Sequence, residues 1–455
     1  MILIESLIRQ AFREVTMSIL SIAAVKVSSS LLKLAGRGGS LPGTIGLKID
    51  PNSLKKLKIS GPVVLVTGTN GKTSTANLIA SVFEQSGYQV ISNRKGDNLR
   101  DGITTALLSA ASLNGNLKNK ALVLEVDELN IRHILPSLSV SALVVNNFFR
   151  DQLDRAREME QLIESIESVL GDYDQTLVLN GNDPNTLRLM LKAPKASIIS
   201  FGVAESPYSQ KSTTEASEGK FCPRCGHPLR YDYYQYSHIG KFHCDHCGFE
   251  TPKLDVELSD IDLKDNTFSV HGRKFRGPYE GMYSMYNYAA LFALMKKFSL
   301  PDDAAVRVFG NAPHPFGRNE HFEANGRQVI LNLIKNPTGA NEVMKVMERE
   351  PDVKNIVLVL NDREQDGRDV SWIYDTQFEK IMNDSTNRII CTGLRRYDMA
   401  LRLYYGGYDP KKIIVCSDLS EALHDAFREN YPIYVAATYT ALRESRNIIE
   451  KEIAL

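Results

Sequence analysis

The sequence predicts an α/β protein with a central P-loop ATPase domain, built on a parallel sheet and carrying an inserted four-cysteine zinc ribbon, and a C-terminal Rossmann-like α/β domain. Three observations lead to this prediction. Short apolar strands alternate with helical stretches along most of the chain, as in a parallel sheet covered on both faces. A glycine-bearing phosphate loop follows an early apolar strand, and two Cys-x₂-Cys pairs interrupt the alternation.

The phosphate loop reads Gly-Thr-Asn-Gly-Lys-Thr-Ser-Thr over residues 68–75 and precedes a stretch, 76–83, with helical periodicity. A strand, a glycine-bearing turn and a helix direct backbone N–H groups and the positive helix end toward an anion. In this arrangement Lys72 is expected to reach the β- and γ-phosphates of ATP, and Thr73 to hold Mg²⁺. The general P-loop pattern fails at one position, because Val66 stands where that pattern has glycine.

The composition is ordinary for a globular protein: 43% of the 455 residues are hydrophobic and 24% are charged, which suggests two or three domains. Lys and Arg number 54, as do Asp and Glu, so the zero net charge gives no support for a nucleic-acid partner. No uninterrupted run of about 18 apolar residues occurs, so no transmembrane helix is expected. The chain is therefore predicted to be cytoplasmic.

Residues 1–34 are apolar and weakly basic, with cations at Arg9, Arg13, Lys26 and Lys33. This composition predicts an amphipathic helix. Packing against the body of the protein is the more common fate of such a helix, and contact with the inner face of a membrane is the alternative. No small-residue cleavage site follows a compact apolar core, which argues against a signal peptide.

Four of the six cysteines form two Cys-x₂-Cys pairs separated by 18 residues, a zinc-ribbon spacing. Gly226 and Gly248 each follow a second cysteine, as tight metal knuckles require. Two disulfides are the alternative, but the spacing and the expected compartment favour a metal. Four thiolates leave no open position for water, so the expected Zn²⁺ is structural. Its predicted ligands are Cys222, Cys225, Cys244 and Cys247.

The chain is predicted to have three parts. An N-terminal helical segment covers residues 1–54, the central ATP-binding domain covers 55–312, and the C-terminal α/β domain covers 313–455. The zinc ribbon is expected as an insertion over residues 218–252. Before it, residues 205–220 are rich in Ser, Thr and Gly and predict a linker.

The longer pattern Thr-Gly-Thr-Asn-Gly-Lys-Thr-Ser-Thr, residues 67–75, resembles the ATP loop of the Mur ligase family, which includes folylpolyglutamate synthase. Those enzymes activate a carboxylate as an acyl phosphate and then attack it with an amine. The resemblance implies that ATP is bound by Gly68, Thr69, Asn70, Gly71, Lys72, Thr73 and Ser74.

Three further positions match motifs of the Mur ligase family in the same order along the chain. Glu125 ends a predicted strand where the family places a Mg²⁺-binding glutamate; a solvated or capping residue is the alternative. Asn287 resembles the second asparagine of a G-x-x-N-x-x-N motif that lies near the adenine. Arg318 resembles the arginine of the G-R-x-E hinge, which approaches the nucleotide; a plain salt-bridged arginine is the alternative.

Several positions depart from the typical family pattern and indicate a particular subgroup of the Mur ligase family. Gln152 replaces a histidine that helps to bind a second Mg²⁺, and Asn332 and Lys335 replace an aspartate and a histidine of the C-terminal domain. Only about 60 residues precede the loop strand, too few for a uridine-nucleotide domain of ordinary size. These features, the zinc ribbon and the segment 361–375 resemble the ligase-like subunits of lipid II isoglutaminyl synthases.

That resemblance implies a heterodimer with a class I glutaminase subunit of the GatD type, which would supply ammonia. The chain would use ATP to phosphorylate the α-carboxylate of D-glutamate in the lipid II stem peptide, and ammonia would then give D-isoglutamine for peptidoglycan. Asp369 would complete the Cys–His pair of the partner, with Asp366 and Asp362 as fallbacks. A solvated acidic loop is the alternative.

The chain has no glutaminase signature of its own, because Cys391 and Cys416 lack a nucleophile context and are expected to be buried in strands. Two other functions stay open. One is a standalone amino-acid ligase of the Mur or folylpolyglutamate synthase type. The other is a zinc-ribbon scaffold that binds ATP without turnover, against which the retention of Lys72 and Glu125 argues.

Overall fold

The computed structural model describes residues 2–34, 39–93, 97–150, 159–215, 218–312, 317, 319–324 and 326–454. The strands are β1 (Val63–Thr67), β2 (Gln89–Ser92), β3 (Lys120–Glu125), β4 (Ala142–Val145), β5 (Thr176–Asn180), β6 (Ser197–Val203), β7 (Arg230–Tyr236), β8 (Ile239–His243), β9 (Val256–Asp262), β10 (Thr267–Val270), β11 (Arg273–Arg276), β12 (Glu320–Ala324), β13 (Arg327–Leu333), β14 (Lys354–Val359), β15 (Thr386–Thr392), β16 (Ile413–Val415) and β17 (Ile433–Ala437). The helices of the described residues are α1 (Ile2–Leu34), α2 (Leu41–Ile49), α3 (Lys72–Gln85), α4 (Arg100–Ala110), α5 (Ile131–Ile134), α6 (Met159–Glu167), α7 (Pro184–Leu187), α8 (Met282–Phe298), α9 (Asp302–Asn311), α10 (Pro337–Arg349), α11 (Arg396–Tyr405), α12 (Leu419–Phe427) and α13 (Tyr439–Ala454).

A nine-stranded sheet forms the larger unit, in the order β11-β10-β9-β6-β5-β4-β1-β3-β2. Seven of its strands pair in parallel. All five residues of β1 are buried, since Val64 and Val66 face the core that contains α3 and α8 while Val63 and Leu65 face the opposite core. A strand buried on both faces needs a continuous apolar run, and the predicted doubly covered parallel sheet is confirmed.

The edge strands β10 and β11 differ from the prediction, because they pair antiparallel. Along β10 and β9 buried residues alternate with less buried ones, so these strands lack the continuous apolar run that marks the interior strands of the sheet. The alpha/beta fold class holds, but this edge of the sheet is mixed.

A second, six-stranded sheet carries the C-terminal half, in the order β12-β13-β17-β14-β15-β16. All neighbours pair in parallel except the hairpin of β12 and β13. Helices cover both faces, as two separate apolar cores show. This is the Rossmann-like arrangement that the alternating pattern predicts.

The chain between β6 and β9 contains the two-stranded hairpin of β7 and β8. Strands β6 and β9 nevertheless pair with each other in parallel, with Phe201 opposite Val256. The intervening segment therefore leaves the large sheet and returns to it at the adjacent position. This is the topology expected of an insertion.

Helix α1 packs on α2 and α4 beside the large sheet. Its residues 16–34 are long and apolar enough to cross a membrane, judged by length and composition alone. The sequence led us to expect no such helix, because serines and two lysines, Lys26 and Lys33, interrupt the apolar residues. Averaged over the segment, the apolar residues still dominate.

Candidate active site

The phosphate loop connects β1 to α3 and adopts a conformation that requires glycine. Gly68 has φ +121° and Gly71 has φ +82°. A Cβ at Gly68 would lie 2.9 Å from the backbone N of Asn147, and one at Gly71 would lie 2.3 Å from Oδ1 of Asn287. Helix α3 begins at Lys72, directly after the loop, so its free N–H groups and positive end are placed as in an anion-binding site.

Lys72 is held at the centre of the loop by three acceptors. Its Nζ donates to the backbone O of Gly68 at 2.6 Å and of Thr69 at 3.4 Å, and forms an ion pair with Oε1 of Glu128 at 2.9 Å. Burial alone would lower the pKa of Lys72, but Glu128 and Glu125 outweigh burial and raise it. Lys72 is therefore a fixed cation, and its partner Glu128 was not predicted from the sequence.

Glu125 is the last residue of β3 and is buried. Its position opposite Val66 of β1 places it beside the start of the loop. Oε1 of Glu125 accepts a hydrogen bond from Nδ2 of Asn98 at 2.9 Å, and Asn93 bonds both backbone groups of Glu125. A buried carboxylate fixed in this way is a suitable ligand for a cation at the phosphate loop.

A layer of asparagines lies beneath and beside the loop. Asn147 accepts from the backbone N of Asn70 at 2.9 Å and donates to its O at 3.1 Å. Asn146 and Asn287 both bond the hydroxyl of Thr75, at 3.0 and 3.1 Å. Three buried amide atoms of this layer lack a hydrogen-bond partner among the described residues: Nδ2 of Asn70, Oδ1 of Asn146 and Nδ2 of Asn287.

Buried amide groups without partners are rare in folded proteins and call for an explanation. At this place a polar ligand on the loop would supply the missing partners. The sequence pointed to Asn287 through a motif, and its contact with Thr75 places it beside the loop. Asn146 and Asn147 directly follow β4. The roles of these residues toward ATP stay predictions.

The loop faces the C-terminal sheet across an open cleft. Asn70 and Gly71 lie on one side of this cleft, and Asn332 and Lys335 lie on the other. Nδ2 of Asn336 donates to Oδ1 of Asn70 across it at 3.2 Å. Asn332 and Lys335, two of the three positions at which the chain departs from the typical family pattern, therefore line the same cleft as the phosphate loop.

Tyr236 of the hairpin and Tyr283 of α8 also line this cleft, and neither was singled out in the sequence. Two predicted positions, Arg318 and Gln152, lie outside the described residues. Thr73 and Ser74 occupy the first turn of α3, with Ser74 buried and Thr73 half-buried.

The four predicted zinc ligands form one cluster, and their sulfur atoms all lie within 4.8 Å of one another. The closest pairs, Cys222 with Cys247 and Cys225 with Cys244, are 3.5 Å apart and are free thiols. Gly226 and Gly248 have φ of +76° and +69°, and each donates its N–H to the first cysteine of its pair. Two matching knuckles that converge four thiols fit a structural Zn²⁺.

Asp369 lies in the loop between β14 and β15 and is half-buried. Its Oδ1 accepts from the backbone N of Ser371 at 2.8 Å, and hydrogen bonds from Ser371 lower the pKa of Asp369. The two fallback acids are engaged elsewhere. Asp366 is buried and bonds Thr440, while Asp362 forms an ion pair with Arg395 at 2.8 Å.

The cysteines outside the cluster differ from each other. Cys391 is buried in β15 as expected, and burial raises the pKa of its thiol to about 12. Cys416 was expected in a buried strand, but it follows β16 and is half-buried, because that strand ends at Val415 on the sheet edge. Burial still raises its pKa. Neither thiol is activated as a nucleophile.

Comparisons with known proteins agree with this architecture. A family model described as MurT ligase C-terminal matches residues 333–442, and one described as Mur ligase middle domain matches residues 66–243. The MurT subunit of lipid II isoglutaminyl synthase (glutamine-hydrolyzing) from Staphylococcus aureus strain COL is 34% identical over 369 residues, which cover 81% of this chain and 83% of the relative. The chain belongs to the MurT family.

A second MurT subunit, from Streptococcus pneumoniae, is 32% identical over 448 residues and covers 95% of this chain and 98% of its own. Among solved structures, a pseudomurein peptide ligase type C from Methanothermus fervidus superposes with a TM-score of 0.66 at 21% identity, over 88% of this chain and 81% of that one. This likeness shows the Mur ligase fold and no more.

In this MurT family member a buried histidine connects the insertion that carries the four cysteines to the phosphate loop. His238, at the tip of the β7–β8 hairpin, lies 3.3 Å from Oδ1 of Asp183 and 3.3 Å from Oε2 of Glu218. Asp183 in turn accepts from the backbone N of Phe148. The neighbouring Phe149 packs on the His238 ring and hydrogen-bonds Thr69 of the loop.

The segment predicted as a linker also contacts the C-terminal half, which the sequence did not indicate. Glu215 forms an ion pair with Lys345 of α10 at 2.7 Å, and Lys345 pairs with Glu342 at the same distance. Burial alone would lower the pKa of Lys345, but the two carboxylates raise it well above its usual range. Thr214 also accepts from Nε2 of Gln377 at 3.0 Å.

The cysteine cluster of this MurT family member gives a first prediction. Cys244→Ser is expected to lose the metal and to destabilise the fold by several kcal/mol, because metal binding supplies folding free energy in structural sites, about 10–16 kcal/mol in isolated zinc fingers. Zinc content by atomic emission and the melting temperature measure both effects. Cys416→Ser, outside the cluster, is the matched control. A metal-free variant that melts like the wild type would contradict a structural role.

The buried histidine gives a second prediction. Burial alone would lower the pKa of His238, but Asp183 and Glu218 outweigh burial and raise it to about 9, from 6.5. A raised pKa stabilises the fold fully below pH 6.5, and that stability is lost as pH rises through 9. Wild-type unfolding free energy should therefore fall across this window.

His238→Gln should flatten the fall in stability between these pH values. His424→Gln, which removes an exposed histidine paired with Glu452, is the control that should keep the wild-type profile. Equal slopes for the wild type and His238→Gln in urea titrations would show that this histidine does not carry the charge.

Proposed function

We propose that this chain is the ATP-dependent synthetase subunit of a lipid II isoglutaminyl synthase, acting in peptidoglycan synthesis in the cytoplasm. It converts the α-carboxylate of D-glutamate in the lipid II stem peptide to the amide of D-isoglutamine. One observation carries the proposal. A phosphate loop with Lys72 and Glu125 faces, across one cleft, a C-terminal domain that matches the MurT family and bears Asp369.

The first step is phosphoryl transfer. An oxygen of the substrate carboxylate attacks the γ-phosphorus of ATP, and the bond to the β-phosphate oxygen breaks to release ADP. The N–H groups at the start of α3 hold the phosphates, and the ammonium of Lys72 neutralises charge on the group in transfer. Its raised pKa keeps that charge in place.

Thr73 and Glu125 would hold Mg²⁺ beside the loop, and this ion supplies further neutralisation of phosphate charge when it is bound. The asparagine layer of Asn70, Asn146 and Asn287 would contact the nucleotide through its unpaired amide atoms. Thr69 is positioned by its bonds to Phe149. Arg318 is proposed to approach the nucleotide from the C-terminal side, on the motif alone.

The second step is amide formation. Ammonia attacks the carbonyl carbon of the acyl phosphate, the bond to the phosphate oxygen breaks, and inorganic phosphate leaves with the loss of one proton from nitrogen. A carboxylate resists this attack until one oxygen becomes a phosphate leaving group. Neither described thiol outside the cysteine cluster is activated, so we propose that ammonia comes from a class I glutaminase partner of the GatD type.

The proposed role of Asp369 is to orient the catalytic histidine of that partner in a heterodimer. A carboxylate in this role must stay ionised at neutral pH. The hydrogen bonds from Ser371 lower the pKa of Asp369 and favour the ionised form. Among the described residues Asp369 has no ion pair of its own, whereas Asp362 is paired with Arg395.

An exposed aromatic face beside this loop suits protein docking. Tyr397, Leu401, Tyr404 and Tyr405 occupy one side of α11 and are 50–76% exposed. Tyrosine is enriched at protein–protein interfaces, and contiguous exposed apolar surface marks interaction sites. Arg402, on the inward side of α11, donates to the backbone O of Ile373 and Thr376. The face and the Asp369 loop are therefore fixed to each other.

Leu401→Asp and Tyr405→Asp together should weaken binding of the glutaminase subunit by at least about tenfold, as loss of an interface anchor does. Leu191→Asp, at an exposed leucine of the central domain, is the matched control. Binding is measured by calorimetry, and ATP affinity should stay unchanged in all variants. Unaltered partner affinity in the double variant would exclude this face.

The decisive test of the function uses the chain with ATP, Mg²⁺ and lipid II, with and without a glutaminase subunit and glutamine. Amidated lipid II should form only with the partner, or with added ammonium salt. ADP release that depends on a free amino acid and needs no partner would overturn the proposal in favour of a standalone ligase. ATP binding without any turnover would favour a scaffold.

A further inference from the structure

We propose that the outer face of α1 binds the surface of an anionic lipid bilayer, with the helix lying along the surface and not crossing it. The inference rests on the proposed function, because it concerns how the enzyme meets a lipid-linked substrate. The part of the helix that would contact lipid is residues 19–34.

The outer face is a narrow aliphatic stripe. Leu20, Val27, Leu31 and Leu34 are exposed by 51%, 61%, 62% and 86%. They are spaced by seven, four and three residues, which places them on one side of a helix. Such large exposed aliphatic side chains in one line are unusual for a surface that faces only water.

The opposite side of the helix is fixed to the body of the protein. Ser21 donates to the backbone O of Gly46 at 2.8 Å, and Nζ of Lys26 donates to the backbone O of Ser109 at 2.7 Å. Ile22 and Val25 are buried there. Crossing a membrane would break these bonds and place the ammonium of Lys26 in hydrocarbon, which is costly. The apolar segment is therefore suited to lie on a bilayer.

Charge and residue type favour lipid over a protein partner. Residues 19–34 contain two cations, Lys26 and Lys33, and no carboxylate, whereas the whole chain is neutral, and Lys33 is exposed. The stripe is purely aliphatic, without the tyrosine, tryptophan or arginine that mark protein interfaces. Aliphatic side chains with nearby cations match the acyl boundary and the anionic headgroups of a bilayer.

Such placement has a direct use. The lipid tail of the substrate stays in the membrane, so only the stem peptide can enter the cleft. A protein that lies on the bilayer through α1 holds its cleft within reach of that peptide. The affinity for lipid then adds to the affinity for the peptide, because the second contact becomes intramolecular.

The test uses the full chain with its glutaminase subunit and vesicles of phosphatidylcholine with or without 40% phosphatidylglycerol. The wild type should sediment with the anionic vesicles, and less so in 0.5 M salt. Leu20→Asp, Val27→Asp and Leu31→Asp combined should lower the bound fraction at least tenfold. Leu191→Asp, Val306→Asp and Val353→Asp combined change three exposed aliphatic residues elsewhere and should bind like the wild type.

Activity separates this inference from the proposed function. The α1 variant should amidate a lipid-free stem-peptide substrate at the wild-type rate and lipid II in vesicles at a rate at least tenfold lower. If neither the wild type nor the α1 variant amidated either substrate, the proposed function itself would be rejected. Equal vesicle binding by the α1 variant and the wild type, or binding by neither, would overturn the inference. A change from dimer to monomer in the α1 variant, without vesicle binding by the wild type, would assign the stripe to self-association and also overturn it.

A single substitution tests the same contact with the bilayer and does not depend on the folding of the triple variant. Leu31→Trp introduces an exposed indole, whereas the single native tryptophan, Trp372, is buried. Brominated anionic lipids should quench the fluorescence of Leu31→Trp and leave the wild-type emission unchanged. Absence of quenching in a variant that still amidates the lipid-free substrate would reject contact between α1 and the bilayer.

Discussion

Lys72→Ala should lower ATP-dependent amidation of lipid II by about 10²–10³-fold or more, the usual loss when one group that stabilises transition-state charge is removed. In the structure Nζ of Lys72 lies at the centre of the phosphate loop, within hydrogen-bond distance of Gly68 and Glu128. Alanine would leave the loop without its cation. The measurement is the rate of phosphate release with saturating ammonium salt, which removes any dependence on the glutaminase.

The same substitution should also destabilise the protein, since it leaves the buried carboxylate of Glu128 without its partner. Removing one member of a buried ion pair costs about 3–5 kcal/mol. The double variant Lys72→Ala with Glu128→Gln removes that unpaired charge. It should recover most of the stability and none of the activity. Recovery of amidation in the double variant would show that Lys72 matters only for folding.

Asp369→Asn should abolish glutamine-dependent amidation while ammonium-dependent amidation stays at the wild-type rate. The expected fall in glutamine hydrolysis by the complex is on the order of 10³–10⁴-fold, as when the orienting carboxylate of a catalytic triad is replaced. The physical reason is that a neutral amide does not hold the histidine in the required tautomer and does not stabilise its charged form as a carboxylate does. Glutaminase turnover of the purified complex is the measurement.

Two controls make this result specific. Asp362→Asn removes a carboxylate of the same loop that is already paired with Arg395 and should leave glutamine hydrolysis within about threefold of the wild type, a change below 1 kcal/mol. Partner affinity of Asp369→Asn should be unchanged by calorimetry. Unaltered glutaminase turnover by Asp369→Asn would refute the role in the partner's active site, while the ATP-dependent step could still hold.

The parts of this molecule that the sequence predicted are those whose residues lie close together along the chain. The phosphate loop at 68–75 and the glycines after each Cys-x₂-Cys pair have the local conformations that their patterns require. The alternating strands likewise predicted both sheets, because a buried parallel strand needs a continuous apolar run. Local patterns of this kind carry their own physical constraint.

The contacts that the sequence did not indicate join residues far apart along the chain. Glu128 meets Lys72 across 56 positions, and His238 meets Asp183 inside the core. A charged residue has no local pattern that indicates a buried partner, so neither contact was predicted. The run Glu-Val-Asp-Glu at 125–128 was the available signal, since these four residues at the end of a buried strand contain three carboxylates beside the predicted phosphate loop.

The ion pair between Glu215 and Lys345 has a consequence for motion. A cleft that admits and releases a nucleotide has to widen, and the C-terminal half is attached to the insertion as well as to the polypeptide between the two sheets. When the cleft widens, either the insertion with the four cysteines moves together with the C-terminal half, or the buried charges of Glu215 and Lys345 separate. Residues 205–220, which the sequence predicts as a linker, thus form a second connection between the two halves. This connection restricts the directions in which the halves can separate.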